Sequence, residues 1–289
     1  MFQPAVDAEV ATVLSQQLKV DLFVAELLVQ RGLRTEIEAR RFFRPSLDEL
    51  HDPFLMKDME AAVNRINEAI KNQEGILLFG DYDVDGTTAV ALMYEQLTKF
   101  HSNVRYYIPD RYKEGYGLSQ QGIDYAHSEK CSLIITLDCG IKSNELVAKA
   151  KELNIDFIIC DHHQPGAELP LGIVLDPKRV DCSYPFKELS GCGVGFKLMQ
   201  ALYIDHGVSV DSLFESLDLL ALSIGADIVD VTGENRILCH HGLQQLNQHP
   251  RKAFEELLIL AGKKLPLSLT DVVFVIAPRV NAAGRIRSG

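Results

Sequence analysis

The spacing of apolar residues divides the chain into a helical beginning, a mixed middle and a helical end. Residues 5–44 have apolar positions at helical spacing, among them Leu18, Leu22 and Ala25. A second helix is predicted from the N-cap Thr35, which has a glutamate at the capping-box position. A linker follows, and then a further helix. The predicted ranges are 35–43 for the second helix, 46–56 for the linker and 58–71 for the third helix.

The middle of the chain alternates between short apolar runs and helical patterns. Predicted strands cover 76–79, 104–108, 133–137, 155–160 and 173–175, with helices over 87–100, 119–129 and 143–153. This alternation predicts an α/β fold with a mostly parallel sheet flanked by helices. Beyond it we predict helices over 194–206, 211–224, 235–248 and 251–261. The run 272–277 is ambiguous between strand and helix.

Three regions are expected from this pattern. They are an N-terminal helical segment over 1–55, the α/β domain over 56–265, and the start of a linker helix over 266–289. The sequence reaches Gly289 without a closing structural signal, which is typical of a fragment.

Three carboxylates follow the first predicted strand at alternate positions, Asp81, Asp83 and Asp85. In an extended chain such residues point the same way, so these side chains are expected to converge. Uncompensated carboxylates repel one another at short range, and a divalent cation is the simplest neutralising group. The alternative is an acidic turn in which aspartates serve only capping and loop chemistry.

Two later strands also end in possible ligands. Asp138 follows the strand over 133–137, and Asp161, His162 and His163 follow the strand over 155–160. In open α/β sheets ligands bind beyond the carboxyl ends of the strands, where these residues would meet. An isolated pair of histidines is more often structural, and we interpret His240–His241 in that way.

Carboxylates with one or two imidazoles suit Mn²⁺ or Mg²⁺, and also Zn²⁺ or Fe²⁺. The absence of Cys-x-x-Cys pairs disfavours a structural zinc site. Several carboxylates around one point imply two ions about 3.5–4 Å apart, which is a site for hydrolysing phosphoesters or phosphoanhydrides.

Composition changes this picture only slightly. The net charge of −11 argues against a nucleic-acid partner, although bound metal would offset part of it and arginines cluster near both ends. The N-terminus lacks the features of a signal peptide and no apolar run is long enough for a membrane helix. With six isolated cysteines, we expect a cytoplasmic protein that makes no membrane contact.

Two motifs carry a family resemblance. Asp81-Tyr82-Asp83-Val84-Asp85-Gly86 and Asp161-His162-His163 resemble the DHH phosphoesterase superfamily. Further stretches, in the right order, resemble its RecJ-type exonucleases. These stretches are 108–117, 137–140, 225–229, 232–236 and 278–285.

The resemblance implies a role for each matching residue. One metal ion would be held by Asp83 and Asp138, and the other by Asp85, Asp138, His162 and Asp227. Asp81 would lie close to the ions as a ligand or a partner of a ligand, and His163 would contact the scissile phosphate or assist the leaving group. The substrate phosphates would be contacted by Arg111, Arg279, Asn281 and Arg285.

The activity that this resemblance implies is a 5′→3′ exonuclease on single-stranded DNA. The enzyme would use two Mn²⁺ or Mg²⁺ ions, release 5′-mononucleotides and act in DNA repair and recombination. Single-strand-binding protein and a helicase are expected partners. Relatives of this type continue into a second α/β domain and an OB-type domain that grips single strands, neither of which is in this sequence.

Two alternatives stay open at this stage. Small-substrate phosphodiesterases and pyrophosphatases of the superfamily carry a histidine where this chain has Phe79, and the difference favours the exonuclease. A non-catalytic binding module is the alternative of another class, and the complete ligand set argues against it.

Overall fold

The computed structural model describes residues 6–286, with side chains described as far as residue 282. It divides the chain into two compact units, residues 1–50 and 51–289. None of the helices in the described part combines the length and the hydrophobicity that a membrane span requires.

The first unit is a cluster of three helices: α1 (Ala8–Leu18), α2 (Leu22–Gln30) and α3 (Glu36–Phe43). Thr35 and Glu38 form the capping box that the sequence predicts at the start of α3. Leu14 and Leu28 are buried in its small core. Three of its arginines, Arg34, Arg40 and Arg41, form exposed ion pairs, such as Arg34 with Asp7 at 2.5 Å.

The second unit contains the sheet. Its elements in chain order are α4 (Met59–Asn72), β1 (Gly75–Gly80), α5 (Val84–Leu97), β2 (Val104–Tyr107), α6 (Gln120–Ser128), β3 (Cys131–Leu137), α7 (Asn144–Glu152), β4 (Asp156–Cys160), β5 (Ile173–Leu175), α8 (Gly191–Asp205), α9 (Asp211–Phe214), α10 (Leu217–Ala226), α11 (Gly233–Gln248), α12 (Lys252–Ala261), α13 (Leu269–Asp271) and α14 (Ala277–Ile286). A π-helical turn, Val272–Ile276, joins α13 to α14.

The five strands form one parallel sheet in the order β2-β1-β3-β4-β5. The predicted α/β fold is therefore confirmed. Because β2 lies on one side of β1 and β3 on the other, the strand order reverses between β1 and β3. In open α/β sheets the crevice outside the carboxyl ends of the strands, at such a reversal, is where ligands bind.

Helices cover both faces of the sheet. One core packs α6 and α7 against the strands through residues such as Phe79, Ile134, Ile123 and Val147. Helix α5 contacts β1 and β3, helix α8 contacts β3 and β4, and the two helices pack on each other. Every residue of β1 is buried, as expected for a strand covered on both faces.

Four predicted elements differ clearly from those observed. Helix α8 begins at Gly191 instead of residue 194. Helix α5 begins at Val84 instead of residue 87, because the Asp83 side chain caps it by accepting from the Gly86 N–H. The helix predicted over 211–224 is two helices, α9 and α10. The ambiguous run over 272–277 is helical and includes the π-helical turn.

Candidate metal centre

Four aspartates stand in register at the carboxyl edge of the sheet. Strand ends Gly80, Leu137, Cys160 and Leu175 are aligned across neighbouring strands. The next residue in each case is an aspartate that is at most 1% exposed: Asp81, Asp138, Asp161 and Asp176. Parallel pairing thus places four buried carboxyl groups along this edge, with Asp81 and Asp138 at the reversal of strand order between β1 and β3.

The turn between β1 and α5 displays its three aspartates differently from the prediction. The extended chain ends at Gly80, so the argument from alternating side chains is wrong for these residues. Asp81 accepts the Gly117 N–H at 3.0 Å, and Asp83 caps α5. Asp85 lies in the first helical turn of α5, 1% exposed. The turn separates the three carboxylates into distinct positions around the crevice.

His162 is the centre around which the carboxylates converge. Its Nε2 atom lies 3.1 Å from Asp138 Oδ1, 3.5 Å from Asp227 Oδ2 and 3.7 Å from Asp85 Oδ2. Asp227 reaches this position from the C-terminal end of α10. Residues from four separate segments of the chain therefore meet at one imidazole nitrogen.

Two groups of three side chains have the spacing of metal ligands. Asp85, His162 and Asp227 form one, and Asp138, His162 and His163 form the other. In each group the candidate ligand atoms lie within 4.8 Å of one another. Asp83 and Asp81 are in neither group.

Two buried atoms of the cluster that lack hydrogen-bond partners indicate whether these residues could bind a metal ion. Asp138 Oδ1 and His162 Nε2 are buried and have no hydrogen-bond partner, although they lie 3.1 Å apart. Buried polar atoms are normally hydrogen-bonded, so a native protein needs a reason for two such orphans side by side. Carboxylate oxygens with imidazole nitrogen form a donor set that suits Mn²⁺, and with fewer imidazoles Mg²⁺. The residues fit a divalent ion.

Electrostatics support the same conclusion. Burial raises the pKa of Asp138 well above its usual value, and the neighbouring Asp85 and Asp83 raise it further. Burial and the same two neighbours raise the pKa of Asp227 to about 7. Burial lowers the pKa of His162. The carboxylates around His162 therefore face an imidazole that favours its neutral form, and a divalent cation would supply positive charge at this point.

Asp161 has a role that the sequence did not indicate. Its carboxylate accepts from the backbone N–H groups of Ile141, His162 and His163, and from His163 Nδ1 at 2.7 Å. Burial would raise the pKa of this carboxyl, but the hydrogen bonds and the charge of His163 lower it overall. The bond from Asp161 also raises the pKa of His163. Only the Asp-His-His triplet itself could have suggested this partnership.

The loop between β2 and α6 borders the cluster with aromatic and basic groups. Tyr116 Oη lies 3.2 Å from His163 Nε2, the nitrogen opposite Asp161. The rings of Tyr116 and Tyr82 meet edge to face, and the Arg111 guanidinium lies 4.9 Å from the centre of the Tyr82 ring. The structure thus brings Arg111 near the candidate centre through two aromatic side chains.

The remaining candidate phosphate contacts fall on α14, which packs against α5 and α10. Arg279 is exposed and donates to Val275 O at 2.7 Å. Asn281 is half-buried, and the side chain of Arg285 lies outside the described residues. Among the described contacts, none joins α14 side chains to the Asp and His cluster.

Comparison with known proteins decides the family. The model of the DHH family, N-terminal domain, matches residues 75–224, which is more than half of the chain and runs from β1 into α10. The chain belongs to the DHH family. This DHH chain contains both halves of the Asp-rich and Asp-His-His pattern within the matched region.

Two curated relatives share extensive sequence with the DHH chain. The single-stranded-DNA-specific exonuclease RecJ of Bacillus subtilis is 44% identical over 94% of this chain and 34% of its own length. The protein of the same name from Escherichia coli is 35% identical over 90% of this chain and 47% of its own length. The DHH chain therefore spans about half or less of the length of these relatives.

Solved structures agree with the sequence comparison. An exonuclease RecJ bound to manganese is 32% identical with a TM-score of 0.74, covering 83% of this chain and 60% of its own. RecJ from Thermus thermophilus in complex with Mn²⁺ is 28% identical with a TM-score of 0.80, covering 96% and 39%. The same protein with Mg²⁺ is 25% identical with a TM-score of 0.70, covering 96% and 36%.

Proposed function

We propose that this chain is the catalytic portion of a two-metal exonuclease that degrades single-stranded DNA from the 5′ end. The observation that carries the proposal is the meeting of His162 with Asp85, Asp138 and Asp227 within 3.7 Å at the carboxyl edge of the sheet. The relatives named as single-stranded-DNA-specific exonucleases supply the substrate, and the RecJ structures with Mn²⁺ and Mg²⁺ supply the ion type.

In this proposal the ligands are shared between two ions. Asp85, Asp138, His162 and Asp227 would hold one ion, and Asp83 with Asp138 would hold the other, with Asp138 shared. When bound, a pair of divalent ions clamps the scissile phosphate and lowers the pKa of a water so that it attacks phosphorus at neutral pH.

His163 is suited to the phosphate and the leaving group. Asp161 binds Nδ1, so Nε2 is directed away from the sheet toward the Tyr116 hydroxyl. The raised pKa of His163 favours its protonated form, which donates to phosphate oxygens or to the departing oxygen. Asp81, which also holds Gly117 of the bordering loop, would keep that loop against the ions.

Phosphates of the DNA strand would be bound by arginines. Arg111 lies over the ring of Tyr82, which meets Tyr116 beside His163. A guanidinium binds two phosphate oxygens at once, which suits the grip on a terminal nucleotide. Arg279, Asn281 and Arg285, all in α14, are proposed to contact phosphates further along the strand.

The wider setting is part of the same proposal. The enzyme would act in DNA repair and recombination in the cytoplasm, with single-strand-binding protein and a helicase as partners. All six cysteines are buried and unpaired, which fits a reducing compartment. Residues 266–289 would begin a helix that connects this portion to a further domain, and the continuous helical run from Leu269 to Ile286 supports this.

The test is digestion of a single strand carrying a 5′ label, with the chain at micromolar concentration and Mn²⁺ present. We expect release of labelled mononucleotide, and none in EDTA. Asp138→Asn should reduce the rate by more than about 100-fold, beyond the loss that outer-shell changes cause. Asp211→Asn, an exposed aspartate at the start of α9, is the matched control and should retain activity.

Two outcomes would count against the proposal. One is an undiminished rate in Asp138→Asn. The other is release of label from pyrophosphate or dinucleotides at a rate well above that from the oligonucleotide, which would indicate a small-substrate enzyme.

A further inference from the structure

The first turn of α8 donates backbone hydrogen bonds to the Asp85 carboxylate. Its Oδ2 accepts the Gly191 N–H at 2.7 Å, and its Oδ1 accepts the Cys192 N–H at 2.9 Å. The Ser223 hydroxyl donates to the same Oδ1 at 2.6 Å. An ionised carboxylate offers about four lone-pair positions. Three of these lone-pair positions thus accept hydrogen bonds. The fourth position is on Oδ2, the oxygen that lies 3.7 Å from His162 Nε2.

Gly191 also touches the second carboxylate of the cluster. A Cβ built on Gly191 would lie 2.5 Å from Asp138 Cβ and 2.8 Å from Asp138 Cα. Distances below 3 Å to backbone atoms cannot be accommodated without movement of one segment. Asp138 itself has little freedom, because its φ of 60° and its bond to Cys160 O fix the chain there. Only glycine allows α8 to begin directly against Asp138.

We propose that Gly191 and Ser223 are positioning residues for metal binding. Gly191 sets the separation of Asp85 and Asp138, and Ser223 fixes which lone pair of Asp85 faces the ions. This proposal rests on the proposed function, since it assumes that these carboxylates are ligands. In this proposal the two residues act through the carboxylates and are not themselves ligands.

Two further features favour this assignment. Helix α8 has 15 residues, and the positive end of its dipole favours the ionised form of a carboxylate at its first turn. Ser190, the N-cap of α8, hydrogen-bonds Ser223 at 2.7 Å and accepts the Gly193 N–H at 3.1 Å. The start of α8 and the Ser223 hydroxyl are therefore fixed together, and Asp85 is bound by a rigid set of donors.

The main test compares two glycines in the same helical turn. Gly191→Ala introduces a methyl group against Asp138, whereas Gly193→Ala places one at 3.4 Å from its nearest neighbours, an ordinary contact. Mn²⁺ affinity, measured by EPR of unbound Mn²⁺, should fall about 10-fold or more in Gly191→Ala, as for loss of an outer-shell partner. Gly193→Ala should bind as the unchanged chain does. Circular dichroism in EDTA establishes that each variant is folded.

A second pair of variants covers the case in which Gly191→Ala does not fold. Ser223→Ala removes the donor to Asp85, and Ser216→Ala removes a buried hydroxyl of the same helix region that accepts from Gln96 at 2.6 Å. We expect weaker Mn²⁺ binding, about 10-fold, only in Ser223→Ala. If Ser223 had only a structural role, Ser223→Ala would behave like Ser216→Ala. Both variants would then have a lower unfolding temperature in EDTA and an unchanged affinity for Mn²⁺.

The outcomes separate the two proposals. If the unchanged chain binds no Mn²⁺, the proposed metal centre is wrong and the positioning role falls with it. If the unchanged chain binds Mn²⁺ and the folded Gly191→Ala and Ser223→Ala variants match it within twofold, the positioning role alone is overturned.

Discussion

At the scale of single residues, Asp161 determines how His163 is presented to the crevice. Its carboxylate accepts from His163 Nδ1 and from three backbone N–H groups, so the imidazole has one fixed orientation. A carboxylate that accepts from an imidazole stabilises the imidazolium, which is why the pKa of His163 is raised. Asp161 therefore fixes the orientation of the His163 ring and also favours its positive charge.

Replacing Asp161 should separate these effects from metal binding. Asp161→Asn should lower the pKa of His163 and slow the proposed DNA cleavage about 10-fold or more, because the charge that favours the imidazolium is lost. NMR titration of the histidine ring and steady-state rates measure the two effects. The control is Asp156→Asn at the opposite end of β4, which breaks ion pairs with Arg65 and Lys151. An unchanged pKa of His163 in Asp161→Asn would refute this account.

Phe79 lies at the position where the family resemblance led us to expect a histidine in a small-substrate enzyme. Its ring is fully buried, stacks on Tyr107 with centroids 5.5 Å apart, and packs so closely on α6 that a Cβ on Gly122 would lie 2.3 Å from it. The position contributes to the core between β1 and α6 and offers no ligand to the metal cluster.

At the scale of elements, the first turn of α5 combines capping with candidate ligation. Asp83 accepts the Gly86 N–H at 3.1 Å and begins the helix. Gly86 in turn lies so close to the Asp81 backbone that a Cβ would be 2.4 Å from Asp81 O. One aspartate thus has both a structural and a proposed metal-binding role, and substitutions can distinguish them.

Asparagine and alanine at position 83 should give different results. Asp83→Asn keeps a good N-cap, so the free energy of unfolding in EDTA should stay within about 0.5 kcal/mol, while Mn²⁺ binding and activity fall. Asp83→Ala should lose both the ligand and about 1 kcal/mol of stability. Urea unfolding in EDTA and Mn²⁺ titration measure these changes. Equal Mn²⁺ affinity in Asp83→Asn and the unchanged chain would remove Asp83 from the ligand set.

The sequence predicted the sheet and most of the cluster, because both depend on local patterns. Apolar runs bounded by glycine and aspartate mark the strands, and parallel pairing then places Asp138 and His162 at one edge. The contacts of Asp85 could not be predicted, since Gly191 follows it by 106 residues and its N–H leaves no sequence pattern. The start of α5 was misplaced because alternating aspartates resemble a strand end as well as a helix cap.

At the scale of the whole molecule, a metal ion and protons should compete for the same buried carboxyl groups. Their effects on the stability of the fold should therefore depend on pH in opposite ways. In the metal-free chain burial raises the pKa of Asp227 to about 7 and that of Asp81 to about 6. Carboxyls whose pKa is raised by folding stabilise the native state while protonated, and this contribution is lost as pH rises through the folded-state pKa. Metal ligands must be deprotonated, so the stabilisation by an ion has the opposite pH dependence.

This competition predicts how the unfolding temperature responds to Mn²⁺. At pH 8 an ion at 100 times its dissociation constant should add about 2.7 kcal/mol to the free energy of unfolding. At pH 6 the same concentration should add much less, because Asp227 is then protonated. Calorimetry with EDTA or Mn²⁺ at the two pH values measures the difference. An equal stabilisation at pH 6 and pH 8 would show that these carboxyls do not bind the ion.

The arrangement of the strands also has a consequence for the order in which the chain folds and binds metal. Asp85, Asp138, His162 and Asp227 come from four stretches that meet only after β1, β3, β4 and α10 have assembled. A nascent or partly unfolded chain cannot capture an ion with such distant ligands, since the loops between them must close first. The ions would thus bind at the end of folding. Once bound, they would slow the unfolding of molecules that have already reached the native state.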